Sequence, residues 1–263
     1  MDFGLKGRTA IVAAASSGLG KAIAMELAAE GANLVINSRS EEALSLATNE
    51  IRSTTGSAVV PVVGDVTDET LVQQLIFEAK KEFGRIDVLI ANAGGPPAGF
   101  FADFEARHYR DALELNLIST VNLCREAVPH MREGKWGRIV AVTSIAAKQP
   151  VENLILSNTS RAGLLGFMKT LSQQVATDGI TVNTLCPGYH LTERLKNLST
   201  QIAIKEGISV EDVYARWAES TPMKRIGDPK EFAAAATFLC SERASYLTGV
   251  AIQVDGGAYR ALY

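Results

Sequence analysis

Short apolar runs alternate with longer amphipathic stretches from one end of the chain to the other. The runs are TAIVAA (9–14), NLVIN (33–37), AVVPVV (58–63), IDVLIA (86–91), GRIVAVT (137–143), ITVNTL (180–185) and AIQVD (251–255). Most are nearly continuous in aliphatic residues, the pattern of strands covered on both faces of a parallel sheet. Between them, apolar positions recur at helical spacing near 19–31, 41–54, 68–83, 105–131, 153–177 and 229–240. This alternation predicts right-handed crossovers and an α/β, Rossmann-type, doubly wound sheet of seven parallel strands with helices on both faces. No repeat, low-complexity tract or linker interrupts it, so a single domain is expected over 1–263. Residues 189–227 break the rhythm. They are helical in pattern where a short connection belongs. Their Leu195, Leu198, Ile202, Ile204, Val213 and Trp217 point to a lid or substrate wall rather than a second domain.

Composition narrows the class. A 263-residue chain with 47% hydrophobic residues can bury a large core. A net charge of −3, with no concentration of Lys and Arg, leaves no electrostatic footprint for nucleic acid. Cys124, Cys186 and Cys240 are odd in number and widely spaced, which points to a reducing compartment and against disulfides or zinc. The three histidines are scattered too, so no metal is expected. MDFGLKGRTA has no apolar leader core, and no apolar run is long enough for a bilayer. A soluble cytoplasmic protein without membrane or nucleic-acid partners is the expectation.

The first strand–turn–helix carries the first chemistry. In AIVAAASSGLGKAIAMELAAEG, Gly18 and Gly20 open the helix, where a glycine lets the backbone approach a pyrophosphate and the helix N-terminus stabilises its charge. Ser16 and Ser17 add hydroxyls, and Leu19 lies between the glycines. The turn reads A-x-x-x-G-x-G, with Ala14 in the first place. The second strand ends in Asn37, Ser38 and Arg39, where an acidic residue would hold the ribose hydroxyls of NAD. The absence of an acidic residue there favours NADP(H) over NAD(H), with Arg39 able to pair with the 2′-phosphate.

Nearly the whole chain resembles the short-chain dehydrogenase/reductase family. The glycine turn at Ala14–Gly20, Asp65-Val66, ANAG (91–94), Asn116 in ELNLIST, Ser144, Pro187-Gly188 with Thr192, and the tail PMKRIGDPKEFAAAATFLCSERASYLTGVAIQVDGG follow in the family's order. The nearest likeness is to a divergent, β-ketoacyl-carrier-protein-reductase-like branch. The resemblance implies that Asp65 and Val66 meet the adenine. It assigns Asn92, Ala93, Gly94, Pro187, Gly188 and Thr192 to the cofactor, and Ser144 to a substrate oxygen. It also implies a homotetramer.

The family's tyrosine and lysine are not found at their places. Thirteen residues after Ser144 stands Ser157, and four further on stands Arg161; no tyrosine occurs between Tyr109 and Tyr189. A serine hydroxyl is shorter and far less acidic than a phenol. An arginine can bond ribose hydroxyls but stays protonated. Asn116, which holds a water behind the lysine in the family, loses that partner. Tyr189 and His190 in PGYHLTER are candidate replacement acids or, alternatively, lid packing. The expectation is an NADP(H)-binding oxidoreductase acting on a ketone, hydroxyl compound or 3-oxoacyl thioester with an atypical catalytic set. The alternative is a non-catalytic dinucleotide-binding sensor or partner subunit.

Overall fold

Seven strands pair in parallel in the order β3-β2-β1-β4-β5-β6-β7. They are β1 (Thr9–Val12), β2 (Asn33–Ser38), β3 (Val59–Val63), β4 (Val88–Ala91), β5 (Gly137–Val142), β6 (Ile180–Pro187) and β7 (Ala251–Val254). The computed structural model describes residues 2–262. Helices α1 (Gly18–Ala29), α2 (Glu41–Thr55), α3 (Glu69–Phe83), α4 (Ala106–Leu113), α5 (Ser119–Glu133), α6 (Ile155–Val175) and α9 (Pro229–Cys240) cover the sheet. Within the stretch 189–227 lie α7 (Glu193–Glu206) and α8 (Val210–Glu219).

The period of two along each strand divides the apolar side chains between two cores. On β1, Ala10 and Val12 join Ile23, Leu27 and Phe232 on one face, while Ile11 and Ala13 join Leu75, Leu123 and Met168 on the other. Both sets are buried, which is why the strands read as unbroken apolar runs. A third, smaller cluster is confined to the stretch 189–227: Leu195, Ala203, Val213 and Trp217, with Tyr189 packed against them. The three cysteines are buried and free. Among the described residues no helix is long and apolar enough to cross a membrane, and no group of three His, Cys, Asp or Glu is placed to hold a metal ion.

One expected element is divided. The helix read at 105–131 is α4, then a π-helical turn at Glu114–Ile118, then α5. Apolar periodicity does not register a single wide turn, so the sequence pattern runs through it. The turn carries Asn116 inward, leaving it 2% exposed.

Phe232 is fully buried and packs edge-on against His190 at 5.3 Å between ring centroids, tying α9 to the segment after β6. Phe232→Ala is expected to destabilise the fold by about 3–5 kcal/mol. Denaturant unfolding reads this, with Phe77→Ala on the exposed face of α3 as the control that stays near wild type.

Candidate functional site

The strand order reverses at β1, which pairs with β2 on one side and β4 on the other. In open parallel sheets a crevice forms at that point beyond the carboxyl ends of the strands. The segments after β1, β4, β5 and β6 all emerge there, and they contain most of the residues singled out above.

The turn after β1 is strained and tightly enclosed. Ala14 has φ of 50°, a left-handed conformation that costs a non-glycine residue roughly 1–3 kcal/mol. Its carbonyl oxygen is fixed by Asn92 Nδ2, which donates to the carbonyls of Ala13 and Ala14 at 3.3 Å each. Gly20 lies against the same carbonyl, and any Cβ there would strike it and stand 2.7 Å from Asn92 Nδ2. Gly18 also has a positive φ, 57°. Behind the turn the helix end is open. Ser40, Asp68, Thr192, Ser209 and Asp228 cap α2, α3, α7, α8 and α9 with their side chains, whereas Ser17 at the start of α1 makes no such bond. Leading N–H groups left this way are satisfied by water or a ligand. Ser16 Oγ meets Ser38 Oγ at 2.8 Å, joining this turn to the end of β2.

The adjoining residues divide into structural and accessible ones. Asn37 is buried and spends its amide on the carbonyls of Val62 and Gly64, at 3.1 and 3.0 Å. Arg39 is 78% exposed and pairs with Asp65 at 3.6 Å. Asp65 also accepts from the Thr67 N–H and hydroxyl, and Val66 is buried in the core beneath.

Across the crevice, one backbone carbonyl gathers the other half of the site. Gly94 O accepts from Asn116 Nδ2 at 2.9 Å and from a terminal nitrogen of Arg161 at 3.4 Å. Asn116 Oδ1 in turn accepts from Ser160 Oγ at 3.2 Å. Arg161 is 8% exposed; it also donates to Val142 O at 3.3 Å and, through Nε, to Ser157 Oγ at 3.2 Å. Burial, and then the nearby charge of Arg194, pushes its pKa down to about 10, so it remains a cation at neutral pH. Ser144 ends the segment after β5 and caps a short 3-10 turn, accepting from Ala146 N–H at 3.1 Å. Its own hydroxyl proton stays available to donate.

The expected replacement acids are occupied by packing. Tyr189 stacks on Trp217 with ring centroids 5.2 Å apart and planes at 15°. His190 is 5% exposed, lies against Phe232 and Gly227, and has Nδ1 3.4 Å from Gly188 O. Neither bonds to Ser144, Ser157 or Arg161. Burial raises the Tyr189 phenol and lowers the His190 imidazole, which moves both away from proton donation at neutral pH. Thr192 caps α7 and places its methyl 3.5 Å from the position of a Gly18 Cβ, so α7 begins directly over the first turn. Gly188 is pressed against Asp255.

A family model described as enoyl-(acyl carrier protein) reductase matches residues 13–259. The chain belongs to this short-chain dehydrogenase/reductase family. It is 33% identical over 256 residues to the NADPH-dependent reductase BacG of Bacillus subtilis (strain 168), covering 97% of this chain and 99% of that one. It is 30% identical to the 3-oxoacyl-[acyl-carrier-protein] reductase FabG of Aquifex aeolicus (strain VF5), covering 98% and 100% of the two chains. A solved structure of L-sorbose reductase from Gluconobacter frateurii, complexed with NADPH and L-sorbose, superposes with a TM-score of 0.96 at 33% identity over all of both chains.

Within this family frame, sequence reasoning missed Ser160 and Arg194. The guanidinium of Arg194 lies so close over Gly95 that a Cβ there would stand 2.5 Å from both terminal nitrogens. A signal existed: a cation in the first turn of a helix opposes the helix dipole, and Arg194 is the second residue of α7. The buried His190 yields a pH expectation. The unfolded chain takes up a proton near the ordinary value of 6.5, and the folded chain resists it. Stability is therefore expected to fall as pH drops below about 6.5 and to be insensitive to this group above it. Thermal unfolding between about pH 8 and pH 5 reads the slope, and His190→Asn is expected to flatten it.

Proposed function

We propose that this short-chain dehydrogenase/reductase is an NADP(H)-dependent oxidoreductase that reduces the carbonyl of a small molecule, a ketone or 3-oxoacyl thioester, to a hydroxyl. The observation that carries the reading is the N-terminus of α1 behind the Ala14–Gly20 turn, which has no side-chain cap and has glycine at the close approach to Ala14 O. The relatives named above that are NADPH-dependent or hold NADPH support the choice of cofactor.

The residues fit the group. The α1 N–H groups, with Ser16 and Ser17, hold the pyrophosphate and Thr192 closes over it. Asp65 and Val66 border the adenine. Ser38 and Arg39 take the 2′-phosphate, for which Arg39 leaves its exposed pair with Asp65. Asn92, Ala93, Gly94, Pro187, Gly188 and Arg161 line the nicotinamide end. When bound, the cofactor supplies a hydride, which with one proton converts C=O to CH–OH and leaves the oxidised nicotinamide.

The chain's own part is to stabilise the oxygen that gains charge. Ser144 donates a hydrogen bond to it. Arg161 offsets its charge from a buried position where the interaction is weakly screened. Ser157 accepts from Arg161 Nε and keeps its own proton to donate as a hydrogen bond. None of the three is an acid near neutrality, so the catalytic set is atypical: the proton comes from water. A positioned general acid is worth about 10²–10⁴ in rate, and turnover is slower than with such a group by that order. Asn116 is a positioning residue that fixes Gly94.

NADPH oxidation in the presence of ketones and 3-oxoacyl thioesters tests the assignment. Ser144→Ala is expected to lower kcat by about 10²–10³ while the NADPH dissociation constant holds. Tight NADPH binding without oxidation against any member of the panel refutes the catalytic reading. The cofactor preference has its own test. Unmodified protein binds NADPH more tightly than NADH, and Arg39→Asp, which sets a like charge beside the 2′-phosphate, erases the difference. Equal dissociation constants in the unmodified protein contradict the assignment.

A further inference from the structure

Two guanidinium groups border the same two-residue turn, with no carboxylate between them. Arg161 reaches Gly94 O, and Arg194 lies over Gly95. Gly94 and Gly95 are adjacent in the chain, so the two guanidinium groups contact neighbouring residues. Like charges held this way repel, and Arg194 is the second cause, after burial, that lowers Arg161.

The chain has acids enough to neutralise them and does not. Arg8, Arg85, Arg132, Arg216 and Arg225 each find a carboxylate. Glu193, the acid adjacent to Arg194 in sequence, pairs with Lys196 at 2.6 Å instead. Arg161 bonds only to neutral oxygens, and Arg194 makes no hydrogen bond or ion pair among the described residues. Arg161 is a buried cation without a counter-charge, which is costly, whereas Arg194 is exposed and only its place in the first turn of α7 is mildly disfavoured. Both penalties are relieved by an anion brought from outside. The pyrophosphate of the proposed cofactor has its own seat at the open end of α1, under Thr192, whereas Arg194 lies over Gly95 on the β4 side.

We propose that Arg161 and Arg194 together seat the carboxylate of the substrate, and that the substrate is a short oxo acid with its carboxylate one or two carbons from the carbonyl. The planar guanidinium of Arg194, which bonds nothing else among the described residues, matches a carboxylate in paired hydrogen bonds, and Arg161, whose nitrogens already bond Ser157, Val142 and Gly94, adds its charge. The short spacing follows from Ser157, which is bonded to Arg161 at 3.2 Å: an anion on this pair stands close to the hydroxyls that meet the reacting oxygen. The phosphate of an acyl-carrier arm lies too many bonds from its thioester to fill this seat. The inference rests on the reductase reading for where the carbonyl sits, and it names the substrate class of that same site.

The test is binding to the NADP⁺ complex by calorimetry, with acetoacetate and 2-oxobutanoate set against methyl acetoacetate and 2-butanone. At least one acid is expected to bind at least about tenfold tighter than its neutral counterparts. Arg194→Gln is expected to remove that preference and Arg194→Lys to keep part of it. In both variants the NADP⁺ dissociation constant stays within about threefold, and thermal unfolding shows each to be folded. Acids that bind no better than the neutral compounds, or not at all at millimolar concentration, overturn the proposal. So does a folded Arg194→Gln variant that keeps the preference for acids, whatever its NADP⁺ affinity. Failure of the reductase reading shows separately, as no NADPH oxidation with any of the compounds.

Discussion

Arg161 keeps a full positive charge in the interior with only neutral oxygens around it, and the arrangement of the catalytic side follows from satisfying that group. Its donors spread over Val142 O on β5, Gly94 O after β4 and Ser157 Oγ on α6. One side chain therefore joins three segments that meet nowhere else in the sequence. Asn116 also holds the Gly94 carbonyl, and it is brought there by a π-turn and anchored by Ser160. The turn after β4 is gripped twice because its carbonyl is a principal acceptor for a buried charge.

The other side of the crevice is organised by backbone rather than by charge. Ala14 is bent into a left-handed conformation, and its carbonyl is locked between Asn92 and Gly20. That strain is maintained by residues of two different strand ends, and it leaves the first turn of α1 facing outward with no side chain to cap it. A helix end held open by strained, well-bonded backbone is preorganised for an anion, since the ligand need not displace a cap of the protein's own. Asn92 belongs to both halves: it fixes the turn after β1 and stands two residues from Gly94.

Seven strands were legible because burial on both faces makes each strand an apolar run, a local property of the chain. The open glycine turn was legible for the same reason: Gly18 and Gly20 sit at a fixed distance from β1. The direction of a side chain in the lid is not local. Tyr189 and His190 follow a recognisable Pro187-Gly188 turn, yet Trp217 and Phe232, from distant helices, decide where their rings go. The π-turn at Asn116 was invisible because one wide turn scarcely disturbs an apolar stripe. Arg194 was overlooked because its significance depends on Gly95, a residue far away in sequence whose missing side chain makes room for it.

Exchanging a lysine-like role for arginine changes the character of such a site. A lysine can shift its pKa and take part in proton movement, whereas arginine remains charged even when burial lowers it to about 10. Permanent charge favours stabilisation of a developing oxyanion over delivery of a proton to it. On the proposed reading, the site then depends on water for the proton and on a lid able to admit it. The stretch 189–227 bears on this. Its core, around Val213 and Trp217, is separate from the two sheet cores. Thr192 and Arg194 at its leading edge lie over Gly18 and Gly95, one on each half of the crevice, so movement of α7 changes access to both together.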